Sequence, residues 1–230
     1  MDSKINKYLL LQVNDALFPI GGYSHSYGLE TYIQKDIVKN EADAGTYIKN
    51  KIRYNLASSE LLAARLCYEA AQQEDMKKLM ELEETYFVSL APREIKEAAK
   101  KLGSRFVKTV SRLEISYVNS VFEEYCAAGE GSHAHACAYG CFCASAGIGK
   151  KEMLENFLYS QTSAMVTNCV KSIPLSQTSG QKILTDIFGI FGQVLDQVEE
   201  WGEEMLCAGA PGFDIRSMEH ERLYSRIYMS

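Results

Sequence analysis

Apolar residues recur at three- and four-residue steps over most of this chain, and no stretch alternates for long enough to make a strand. That pattern restricts the fold to packed helices. From residue 42 to about 73, Tyr47, Ile48, Ile52, Leu56, Leu62, Leu66 and Ala70 follow a helical series. Asp75 is placed to cap a helix carrying Leu79, Leu82 and Phe87. Pro92 stands where a first-turn proline belongs, and the helix behind it runs through Leu102, Phe106 and Val110. Further helices are expected over about 112–128, 133–146, 150–171 and 183–206. Stops are expected at Gly147 and Pro174, a plain linker at 129–132 and a turn at 176–180. Gly189 and Gly192, three apart in the last helix, predict close approach of a neighbouring backbone.

The expected architecture is all-α, a single-domain bundle of about ten helices. The strongest break is Ala208-Gly-Ala-Pro-Gly212, which divides a body, 1–212, from a tail, 213–230. The tail carries too little apolar surface to fold alone, so it is expected to be mobile or loosely docked until a partner orders it, with a helix packed back on the body as the alternative. A net charge of −6 with both signs interspersed argues against nucleic-acid binding, which needs a basic face. No apolar run reaches membrane-spanning length, and the first residues lack the pattern of a signal peptide. Seven cysteines, an odd number set within helical patterns, predict reduced thiols and a cytoplasmic protein.

Four segments carry possible chemistry. His133, Cys137 and Cys141 would share a helix face and could hold zinc or nickel, but a closed site draws on a second element and no second Cys/His cluster exists. A core helix of small residues explains them better. Gly147-Ile-Gly-Lys-Lys151 lacks the glycine at 144 and the Ser/Thr at 151 that a phosphate loop requires. Ser24-His25-Ser26 offers a nucleophile and a base by adjacency alone. Phe18-Pro-Ile-Gly-Gly-Tyr-Ser-His-Ser-Tyr-Gly-Leu-Glu30 is a loop-to-helix knuckle. In it Gly21 and Gly22 permit unusual backbone, and Ser24 or Ser26 is placed to cap the helix that follows.

Three runs together resemble the urease accessory protein UreF family. These are Pro19–Glu30, Lys171-Ser-Ile-Pro-Leu-Ser-Gln-Thr-Ser-Gly-Gln181, and His220-Glu-Arg-Leu-Tyr-Ser-Arg-Ile227. The chain departs from that pattern at Lys171, where arginine is common, at Ser176, where glycine is usual, and in the cysteine-rich stretch 137–143, so no family metal role is carried to that stretch. The resemblance implies an all-α homodimer, a chaperone without chemistry of its own. It would bridge the UreD/UreH accessory protein and the UreG GTPase while the complex inserts nickel into the urease apoenzyme. No cofactor is expected to be held permanently. Gly21, Gly22, Tyr23, Ser24, Ser26 and Glu30 of the knuckle and Lys171, Gln177 and Gln181 of the second run become the expected partner-binding residues. Arg222 and Arg226, four apart, and Tyr224 as an apolar anchor complete the set from the tail. The rival readings are a small helical hydrolase using a Ser/His or Cys/His pair and a metal-binding protein using His133 and Cys137.

Overall fold

A computed structural model of the chain describes residues 3–128 and 131–230. The described residues are about 72% helical with no strand. The helices are α1 (Ser3–Val13), α2 (Leu29–Gln34), α3 (Glu41–Lys51), α4 (Leu62–Gln72), α5 (Met76–Ser89) and α6 (Arg93–Val110). They continue as α7 (Val121–Ala128), α8 (His135–Ser145), α9 (Lys150–Ser172), α10 (Gln177–Ile187), α11 (Phe191–Glu200) and α12 (Pro211–His220). A π-helical stretch, Ile52–Leu61, joins α3 to α4 without a break, and a short 3₁₀ turn, Phe188–Ile190, joins α10 to α11.

The core is built around α8, of which every residue from Ala136 to Ser145 is buried. Its small side chains let neighbours come close. A Cβ on Gly140 would run into the Ala64 carbonyl of α4, and a Cβ on Gly103 of α6 would run into the His133 carbonyl. The α8 flank is filled by rings: Phe106 lies 5.5 Å from Phe142 and 6.1 Å from Tyr139, and Tyr139 stacks on Phe157 at 4.7 Å. All seven cysteines are free thiols. Among the described residues no helix is long and apolar enough to cross a membrane.

Asp75 caps α5 as expected, its carboxylate accepting from Lys78 N. Other expectations need correction. The helix expected at 112–128 covers only Val121–Ala128. Residues before it run irregularly, Val118 N donating to Ser145 O, and Asn119 Oδ1 accepts from Val121 N as the helix begins. Residues 176–180 open α10 instead of forming a free turn, because Ser176 caps it by accepting from Ser179 N. Helix 183–206 stops at Glu200. Nothing stands within 4 Å of where a Cβ on Gly189 or Gly192 would project, so no backbone approaches them closely. Half of the expected linker, residues 129 and 130, lies outside the described residues.

The tail is the largest difference. Its helix begins at Pro211, inside the expected break, and residues through Ser230 pack back on the body. Phe213 joins Tyr32 and Tyr47 in a three-ring cluster, with the Lys51 ammonium 4.9 Å above its ring. Burial pulls the Lys51 pKa down. His220 is completely buried.

Candidate partner-binding surface

The knuckle is shaped by three left-handed residues. Gly21 has φ +84°, Tyr27 +52° and Gly28 +84°, while Gly22 lies in a 3₁₀ turn of ordinary φ. So Gly21, not Gly22, needs the freedom that a missing Cβ provides. Arg105 of α6 fills the space over Gly21 and donates from Nη1 to Ile20 O at 3.1 Å. Gly28 precedes α2 with Ser217 of α12 packed against it.

Neither serine caps α2; Gly28 holds the N-cap position without a side-chain bond. Ser24 Oγ donates to Gly21 O, closing the knuckle on itself. Ser26 turns to the tail: its Oγ and N, with Tyr27 N, all donate to Ser230 O. Met229 N donates to Ser24 O at 2.8 Å. The knuckle and the last residues are therefore laced together through their backbones.

Glu30 anchors the other side of this contact. It is 5% exposed, and its carboxylate accepts from Ile227 N at 2.8 Å, Tyr228 N at 2.9 Å and His220 Nε2 at 3.0 Å. The opposite His220 nitrogen faces Glu94 of α6 at 2.6 Å, and Glu94 also accepts from Arg226 at 2.8 Å. Both ring nitrogens of His220 therefore face carboxylates from two different helices. Glu30 is thus an internal clamp for the tail, where the sequence pattern predicts a partner contact.

The second run meets the same end of the molecule at its start. Asn168 of α9 donates to His25 O at 2.9 Å, and Ser172, next to Lys171, lies 3.4 Å from the Tyr228 hydroxyl. Lys171, Gln177 and Gln181 are exposed. No side-chain hydrogen bond ties Gln177 or Gln181 to the knuckle or tail among the described residues. In the tail Arg222 is exposed, and Tyr224 stands entirely in solvent. Ile227 at 80% and Tyr23 at 69% extend the exposed apolar set.

The rival chemistry finds little support in these positions. His133 precedes α8, so it does not share a helix face with Cys137. It is buried, with Nδ1 3.2 Å from Glu83, whose carboxylate also accepts from Ala134 N. The Cys137 thiol is pushed well up by its hydrogen bond with Cys67 and by burial. Among the described residues no three His, Cys, Asp or Glu side chains converge as metal ligands. His25 faces Ser230 Oγ at 2.8 Å, not Ser24 or Ser26, and no carboxylate orients it. Gly147 and Gly149 connect α8 to α9 with no strand before them, which removes the phosphate-loop geometry.

Two histidines whose pKa values are depressed set an acid limit on the fold. Burial, followed by the nearby Lys101 and Arg105 charges, lowers His25 from 6.5 to about 4, and burial alone does the same to His135. Below 6.5 the unfolded chain takes up protons that the folded chain refuses until about pH 4. Stability therefore rises with pH across that window and is lost on acidification. His135 is expected to withdraw on the order of 2 kcal/mol between about pH 6.5 and 5. His25 acts in the same direction. Urea midpoints across this range check it. His135→Phe, placed among Phe106 and Phe157, should flatten the slope, and an unchanged slope would contradict the assignment for His135.

A family model described as UreF matches residues 38–188, more than half of the chain. The match includes the run from Lys171 to Gln181 and lies between the knuckle and the tail, which the fold brings into contact. By that match the chain belongs to the UreF family of urease accessory proteins.

Proposed function

We propose that this chain is a cytoplasmic adaptor in urease maturation, acting as a homodimer that bridges the UreD/UreH protein and the UreG GTPase. In this reading the complex inserts nickel into the apoenzyme, nickel is cargo, and the chain performs no catalysis itself. One observation carries the reading furthest. Buried Glu30 and His220 fix the tail backbone while Tyr224, Ile227 and Met229 are held in solvent. Rigidly mounted apolar side chains lose little entropy on binding, which suits them to docking and serves no purpose in a hydrolase. Free thiols fit a reducing compartment.

The test is capture of purified UreD/UreH and UreG by the wild-type chain and by a Tyr224→Ala/Ile227→Ala variant. The expected result is a complex weakened about tenfold or more with an unchanged melting temperature. Absence of any wild-type complex overturns the adaptor reading, and equal binding by the variant removes the tail from it.

The knuckle adds a sharper contrast. Gly21→Val must hold a β-branched residue at positive φ and displace Arg105, at a cost of about 1–2 kcal/mol. Gly22→Val meets open space without a left-handed φ and should cost less than about 0.5 kcal/mol. Binding should weaken in the first variant and persist in the second. Equal effects at both positions would remove the special role of Gly21.

A further inference from the structure

The interspersed charges of the sequence separate sharply on α6. Residues 93–112 hold seven lysines and arginines against two glutamates, in a chain of net charge −6. The helix buries Ala98, Leu102, Phe106 and Val110 on one side. Lys101, Arg105 and Lys108 follow at steps of four and three on the other side, with Lys100 beside them and Arg112 in the turn beyond. All five are exposed.

The ion pairs of this segment are confined to its first turns. Arg93 pairs with Glu97 and Glu221, and Glu94 pairs with His220 and Arg226. Among the described residues no carboxylate lies within 4 Å of the five basic groups. Arg105 pins the knuckle to this helix through Ile20 O, three residues before exposed Tyr23.

We propose that the outer face of α6, together with Tyr23 of the knuckle that Arg105 holds to it, is a docking surface for an acidic patch on a protein partner. This deepens the adaptor reading and rests on it for the partner's being a protein. The helix rises about 12 Å from Lys100 to Lys108, the scale of one patch within a protein interface. The negative charge of the rest of the chain opposes an extended polyanion at long range, whereas a compact acidic patch meets only the local field. Tyr23 supplies the amphipathic anchor that charge alone lacks.

The test compares wild type with Lys100→Glu/Lys101→Glu/Lys108→Glu, leaving Arg105 in its structural place. A companion variant carries glutamine at the same three positions. Melting curves establish folding, and the glutamine variant serves if charge reversal disturbs it. Binding to purified UreD/UreH and UreG is measured at about 50 and about 300 mM salt. At least one complex is expected to weaken about tenfold at low salt, mainly through slower association, with the gap closing at high salt. Complexes that all persist within about twofold overturn the proposal.

Wild-type binding to a DNA duplex or to phosphatidylserine vesicles at the higher salt, lost in the variant, also overturns it in favour of those ligands. If the wild type binds neither accessory protein, the adaptor reading fails separately. The α6 face is then judged on an immobilised polyglutamate peptide: capture lost on charge reversal supports it, and no capture overturns it.

Discussion

Deleting residues 213–230 is expected to lower stability by about 4 kcal/mol or more, not to leave an intact body. The sequence pattern places a detachable segment there, yet the structure makes it a partner of the buried Glu30 and the partly buried Glu94 carboxylates. Without it, Glu30 loses Ile227 N, Tyr228 N and His220, and Glu94 loses His220 and Arg226. Hydrogen bonds to charged groups contribute about 1.5–3 kcal/mol each. Loss of Phe213 from the rings of Tyr32 and Tyr47 adds about 1 kcal/mol. For a chain of this size the melting temperature should fall by roughly 10 °C.

Glu30→Gln makes the same point with the tail present. It keeps the shape but removes the charge opposite His220, and should produce a smaller loss of the same sign. If truncation shifts the melting temperature by less than about 2 °C, the clamp does not hold the knuckle to the body. Reduced partner capture by a truncated protein would therefore combine a missing contact with a disturbed knuckle. Tyr224→Ala separates these causes because its side chain touches solvent alone.

What the sequence disclosed follows a physical division. Stripes such as Leu102, Phe106 and Val110 were legible because one helix packs them along one face. The small-residue composition of 133–146 likewise marked the central helix. The step of six from Leu56 to Leu62 broke the helical series, and it lies where the backbone widens into the π stretch. There Ser58 O turns away to accept from Cys207 N, a bond between distant residues that local periodicity does not contain.

The candidate surface was harder to read for the same reason. Pro19–Glu30 and His220–Ile227 were recognisable as motifs, but neither states that Glu30 faces inward to the other. Nothing in the local pattern of α6 marks Glu94 or Arg105. Their roles come from His220 and the knuckle, which the chain returns to them from more than a helix away. The basic run from Lys100 to Arg112 contains no acidic residue and stands in the sequence itself; helical spacing adds only that Lys101, Arg105 and Lys108 share one face.

Gly140→Ala is the second change expected to have a large effect, although alanine is the better helix former by about 1 kcal/mol. Its Cβ would collide with the Ala64 carbonyl oxygen and stand 2.9 Å from the Ala64 carbonyl carbon. Both atoms belong to the α4 backbone, so no side chain can swing aside. Relief requires α4 and α8 to separate, loosening Cys67 against Cys137 along the same seam. Overpacking of this kind costs about 1–3 kcal/mol when side chains can adjust, and about 3 kcal/mol or more is expected here, where backbone must move. Gly192→Ala supplies the control: nothing lies near its added Cβ, and helix propensity should stabilise it by up to about 1 kcal/mol. Urea unfolding of the two variants should give opposite signs. Equal or neutral effects would mean that α8 does not lie against α4 closely enough to require glycine, and the small residues of the central helix would lose their structural explanation.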